Sequence, residues 1–237
     1  AFSLTTGVNE FTGGSGNDSF DASTADSLND YDVLDGAGGY DTLTAKSSGA
    51  DGGLSLIPQL SNIEHLQITS TEATGGADVL TVELAAATGL EKVSNVTSTD
   101  SVTFDNVPNT VDVNLKSAVG TTTVDFGKAG LAGTADAITV TLNGTNSTTL
   151  AFTDDDALQT VALETITIAS QSVPNTLADL QTTGVATSAL HVTGDKLLTI
   201  TAALDAEILT VDASGSSGGL SLGAAPGFAN ATVTGSS

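Results

Sequence analysis

Short runs in which apolar residues alternate with Thr, Asp or Asn recur along the chain. They occupy residues 64–69 (EHLQIT), 79–84 (VLTVEL), 101–105, 110–115 (TVDVNL), 121–126 (TTTVDF), 137–142 (AITVTL) and 148–152. Further runs follow at 164–168 (ETITI), 189–193, 197–201, 208–212, 219–222 and 231–233. A period of two puts every apolar side chain on one face, the pattern of a strand half-buried against a core. Gly, Asn, Asp, Ser and Pro, which turn the backbone at low cost, fill the gaps. Helical spacing is confined to 84–90 and 177–180, each long enough for a turn or two. The pattern predicts an all-β chain.

Successive runs commonly begin roughly 10–12 residues apart, which suits a β-sandwich or a solenoid of stacked coils. Two features favour the solenoid. The runs ADVLTV (77–82), ADAITV (135–140), DKLLTI (195–200) and AEILTV (206–211) resemble one another. The apolar residues are also small to medium, with 4% aromatics and no Trp to anchor a sandwich. The expected fold is a parallel β-solenoid, β-roll-like, with short stacked strands; a β-sandwich in the C-terminal half is the alternative.

Composition narrows the chemistry. The 237 residues hold 28 Asp+Glu against five bases, all lysine, for a net charge of −23. Such a chain cannot neutralise a phosphate backbone and is repelled by anionic lipid, so neither nucleic acid nor membrane insertion is expected. No stretch approaches the ~20 apolar residues of a membrane-spanning helix. Without Cys there is no disulfide, thiolate nucleophile or thiolate metal site, and two histidines leave little for acid–base work. The acidity does not imply disorder, because charged residues are only 14% of the chain and hydrophobic ones 39%. Residues 1–10 lack the basic and apolar regions of a signal peptide, and the chain starts on Ala, as a piece or processed product of something longer would.

The motif with chemical content is Gly13-Gly14-Ser15-Gly16-Asn17-Asp18-Ser19-Phe20-Asp21, which matches G-G-x-G-x-D-x-U-x with U a large apolar residue. A second copy, with its glycines displaced by one position, spans 35–43 (DGAGGYDTL), and a degraded third reads GGADVL at 75–80. Ca²⁺ takes six to eight oxygens at ~2.3–2.6 Å. Glycines let a loop fold tightly enough for its carbonyls to converge, the aspartate adds charged oxygen, and the following apolar residue starts a strand. The candidate ligand set is Gly14, Gly16, Asp18, Asp21, Asp32, Asp35, Gly36, Gly38, Asp41 and Asp78.

On these residues the chain resembles the repeats-in-toxin (RTX) family of secreted calcium-binding proteins, whose tandem nonapeptides form a parallel β-roll. Copies in that family sit nine residues apart, whereas Asp18 and Asp41 are 41 − 18 = 23 apart, with Asp26, Asp30 and Asp32 in the intervening segment. The wider order of nonapeptide, acidic insert, DGAGGYDTL and then LSNIEHLQIT (60–69) is similar to RTX-type bacterial surface-layer (S-layer) proteins. That resemblance implies calcium-driven folding, self-association into a lattice at the cell surface, contact with cell-surface polysaccharide, and secretion by a route whose signal lies at the C-terminus. It divides the chain into an RTX-like calcium-binding segment, 1–70, and a β-solenoid segment, 71–237, continuous with the first.

Plainer readings accompany each candidate. Asp18, Asp21, Asp35 and Asp41 also suit turns. The loop before Asp78 is short of carbonyls. Asp136, Asp195, Asp205 and Asp212 suit solvated strand edges, and the 154–156 run suits solvent, a second calcium site, or a helix starting at Ala157. His65 and His191 fall on the polar side of their strands. The zinc-protease motif HExxH is missing, and sugar chemistry lacks aromatic platforms. The expected function is a non-enzymatic, calcium-dependent structural module. An RTX-type adhesin stalk or ligand-binding module is the alternative, and an accessory domain of a secreted enzyme is a weaker third.

Overall fold

The computed structural model describes residues 1–48, 53–71, 78–154, 162–182, 184–223 and 232–235. They form parallel strands and no helix, wound into a β-solenoid. One sheet runs the length of the molecule. It opens with β1 (Phe2–Ser3), β3 (Ser19–Ala22), β5 (Thr42–Ser47), β8 (His65–Ser70) and β10 (Lys92–Val96). It continues through β12 (Asp112–Lys116), β14 (Ala137–Asn143), β16 (Thr165–Gln171), β18 (Ala189–Gly194), β20 (Thr210–Ser216) and β22 (Thr232–Thr234). The second sheet stacks β6 (Leu54–Leu56), β9 (Val79–Glu83), β11 (Ser101–Val107) and β13 (Thr121–Phe126). Beyond them lie β15 (Asn146–Asp154), β17 (Asn175–Gln181), β19 (Leu198–Ile200) and β21 (Leu220–Leu222). A third sheet of β2 (Glu10–Thr12), β4 (Val33–Asp35) and β7 (Gln59–Ser61) adds another side to the first coils.

Alternation builds this arrangement. On the long sheet Phe20, Leu43, Leu66, Val93, Val113, Val140, Ile168 and Val192 stand in one stacked rank, all buried. Leu56, Val82, Phe104, Val124 and Phe152 form the matching rank on the second sheet. Each such side chain contributes about 1.5–3 kcal/mol of burial. Intervening Thr, Asp, Lys and His residues face outward. Stacking equal residues in parallel register excludes a sandwich for the C-terminal half.

Two expectations of helix are corrected. Residues 177–180 lie inside β17, where a register irregularity against β15 puts Ala178 and Asp179 between the buried Leu177 and Leu180. That bulge imitates helical spacing. Residues 84–90 form a bend in which the Ala87 amide donates to the Leu84 carbonyl at 2.8 Å, with Leu84 and Leu90 turned into the core. The expected helix start at Ala157, with Asp155 and Asp156, lies outside the described residues.

Candidate metal centre

The glycine-rich segments meet at one corner of the solenoid, just before the strands of the long sheet. Residues 13–18 lead into β3, 36–41 into β5, 62–64 into β8 and 89–91 into β10. Backbone bonds bind neighbouring coils at this corner. The Gly13 amide donates to the Asp35 carbonyl at 2.7 Å, Gly36 to Ser61 at 2.9 Å, and Gly38 to Gly14 at 3.0 Å. Ser19, Thr42 and His65 are in register, so the 23-residue interval between Asp18 and Asp41 is one complete coil. Later coils run from 20 to 30 residues. The aspartates of the two copies are therefore stacked neighbours.

The close stacking explains some glycines and not others. A Cβ on Gly36 would overlap the Asp41 carboxylate and the Asn62 carbonyl, and Gly39, at φ +126°, lies against the backbone of Gly16 and Asn17. By contrast Gly14, Gly16 and Gly38, three of the predicted ligands, have room for a methyl group. Gly13 and Gly39 were not in the predicted set, yet they allow the coils to approach.

Carboxylates stitch the corner together. The Asp18 amide donates to Asp41 Oδ1 at 2.6 Å, and the Asp41 amide donates to Glu64 Oε2 at 2.6 Å. Asp18 Oδ2 accepts the Gly14 amide at 2.7 Å, while its Oδ1 lies 3.9 Å from the N-terminal ammonium. Three like charges thus stand one per coil, ~4.8 Å apart. Asp41 is completely buried, and its Oδ2 has no hydrogen-bond partner. An unsatisfied buried carboxylate oxygen is costly, several kcal/mol for a charged group. The negative field reaches Tyr40, whose phenol is pushed up by burial and then by Glu91, Glu64 and Asp112.

The remaining candidates lie apart or are occupied. Asp35 Oδ1 accepts Asn62 Nδ2 at 2.8 Å and the Ala37 amide at 2.9 Å, bonds that hold its carboxyl below the usual range. Asp32, fully buried on another corner, accepts the Asn9 amide (2.7 Å), Asn9 Nδ2 (2.9 Å) and the Asn29 amide (2.7 Å). Asp21 faces outward from β3 and accepts the Ser23 amide at 2.9 Å. Asp78 precedes β9 on the second sheet, beside Ser70 and Asp100. Gly75, Gly76 and Ala77 lie outside the described residues.

No family model, curated protein or solved structure matches the chain. The physical content of the corner therefore has to carry the assignment. Among the described residues no group of three or more His, Cys, Asp or Glu side chains is placed to hold a metal ion. At Asp41 the corner leaves one buried carboxylate oxygen without a hydrogen-bond partner, stacked between two further carboxylates, whereas both oxygens of Asp32 are bonded. Glu64 and Asn62 belong to the corner although the sequence motif omits them; the signal was the repeat of 23 from Asp18 through Asp41 to Glu64.

His65 Nε2 lies 2.8 Å from Ser94 Oγ, and burial, with help from Lys92, pushes its pKa down to about 4. His191 is 3.8 Å from Asp212. Both stand on the outer face of the long sheet; His65 follows Glu64 directly, and its amide donates to the Asp41 carbonyl at 3.0 Å.

Proposed function

We propose that the chain is a calcium-dependent, non-enzymatic structural module of an extracellular bacterial surface protein, S-layer-like in kind and self-assembling. The observation that carries this reading is the buried, unpartnered Oδ2 of Asp41 between the carboxylates of Asp18 and Glu64. Asp41 would hold the ion, with Asp18 and Glu64 as the adjoining oxygen donors. Bound Ca²⁺ supplies positive charge and accepts oxygen lone pairs, which relieves the repulsion along the stack. Asp41 fixes the second glycine-bearing loop against the first by accepting the Asp18 amide at Oδ1. Binding that favours only the folded state stabilises it by mass action, by about 2.7 kcal/mol at a hundredfold excess over Kd. The same ions lessen the self-repulsion of a chain at −23 and so favour contact between copies.

Calcium titration with EGTA reversal, followed by circular dichroism and electron microscopy, tests this. The expected result is a reversible gain of β-structure or melting temperature, together with ordered sheets or filaments. A response without assembly would favour a monomeric stalk or ligand-binding module. No response of either kind would remove the proposal.

A further inference from the structure

The two large sheets differ in charge. Strands of the long sheet carry Asp21, Asp112 and Asp212 against Lys46, Lys92 and Lys116, three acids against three bases. Strands of the second sheet carry Glu83, Asp105, Asp125, Asp154 and Asp179 and no base. Among the described residues Lys46, Lys92 and Lys116 form no ion pair, although acids outnumber bases 28 to 5 in the chain. Lys46 and Lys116 are exposed and Lys92 half-buried. The outer faces of the two sheets look away from their shared core on different sides.

From this partition we infer that the long sheet of one copy docks on the second sheet of the next, a head-to-tail lateral contact that repeats as an open row. The occupant is a second copy of this chain, because its long sheet offers three lysines without an ion pair to a face that carries acids alone, on the same strand spacing. Both faces are parallel sheets with the same ~4.8 Å period. Lys92 on β10 and Asp105 on β11 belong to one coil, and Lys116 on β12 and Asp125 on β13 to the next. Along the strands Lys92 is level with Asp112, and Lys116 with Val96 four residues further on, whereas Asp105 and Asp125 stack at one level, so an unshifted copy sets one lysine position at a time opposite the aspartate column. The second sheet has eight strands, which at about five residues each present roughly 700 Å². That approaches the ~800 Å² per partner of a stable interface. Individual exposed pairs add little affinity, but a patterned set fixes which faces meet. A contact between unlike faces does not close on itself and so propagates. The inference rests on the self-assembly part of the proposed function and not on its calcium.

The test uses two variants at fixed saturating calcium: Lys46→Glu/Lys92→Glu/Lys116→Glu, and Asp105→Lys/Asp125→Lys. Each alone is expected to remain monomeric by sedimentation where the unaltered chain associates, with affinity reduced at least ~10-fold. Mixing them is expected to restore association, because each supplies the face that the other lacks. Melting curves check folding, and Thr103→Lys/Thr123→Lys serves as the second-sheet variant if the aspartate changes unfold it. Normal assembly of the lysine variant, a mixture that stays monomeric, or no association of the unaltered chain would each overturn the inference. The calcium reading fails separately, by an absent EGTA-reversible change in the dilute monomer.

Discussion

Asp41 and Asn175 do the same structural job in different halves of the solenoid. Both are buried, and each accepts an amide from the preceding coil, Asp18 at 2.6 Å and Thr145 at 2.9 Å. Their second atoms differ. Asn175 Nδ2 donates to Ser170 Oγ (2.9 Å), the Gln171 carbonyl (3.1 Å) and the Val173 carbonyl (2.7 Å). Asp41 Oδ2 has no partner. Where a stitch between coils is all that is needed, a neutral amide completes it within the protein. A carboxylate at the equivalent task leaves charge over, and that surplus makes the N-terminal corner responsive to a cation.

The largest expected effect is at the self-sufficient stitch. Asn175→Ala removes four hydrogen bonds, two of them fully buried, and should cost about 3 kcal/mol, equally in calcium and in EGTA. A denaturant midpoint that moved with calcium would weaken the contrast. Next comes Asp32→Asn, since Asp32 is a carboxylate used as a stitch with three donors aimed at it. An amide NH₂ there faces another donor, at a cost of about 2 kcal/mol, again independent of calcium. Calcium-dependent loss at Asp32 would return it to the ligand set.

A smaller effect concerns pH. The folded His65 titrates near 4, below its ordinary value of 6.5, so the unfolded chain binds the extra proton first. Its stabilising contribution is complete above pH 6.5 and fades as pH falls towards 4. Melting temperatures of His65→Gln should fall less steeply than those of the unaltered protein across this interval. Parallel slopes would show that the ring is solvated.

Much of the fold was legible because alternation survives in the longer strands; β13 falls on the run 121–126 without adjustment. β10 was missed because Ser94 and Asn95 are both buried, which hides the period of two in KVSNV. β17 reads as a helical turn in the sequence because its bulge spaces two inward leucines by three. Strands β2, β4, β6 and β7, of three residues each, are too short to show a period. At the corner Asp18 and Asp41 were visible through their glycines. Glu64 was not, because Asn62-Ile63-Glu64 keeps the carboxylate after losing the glycine, and Asn62 supplies the left-handed turn at φ +52°. Asp32 shows the opposite failure: composition marked it as a ligand, but only hydrogen-bond partners reveal that its oxygens are spent.

The most direct measurement is the urea midpoint of the unaltered protein and of Asp41→Asn, each in saturating calcium and in EGTA. In EGTA the variant should be the more stable by about 1–3 kcal/mol, having lost an unsatisfied buried charge. Calcium should reverse that order by stabilising only the unaltered protein. Equal calcium responses, or a variant that is weaker in EGTA, would contradict the assignment of Asp41 as the cation's anchor.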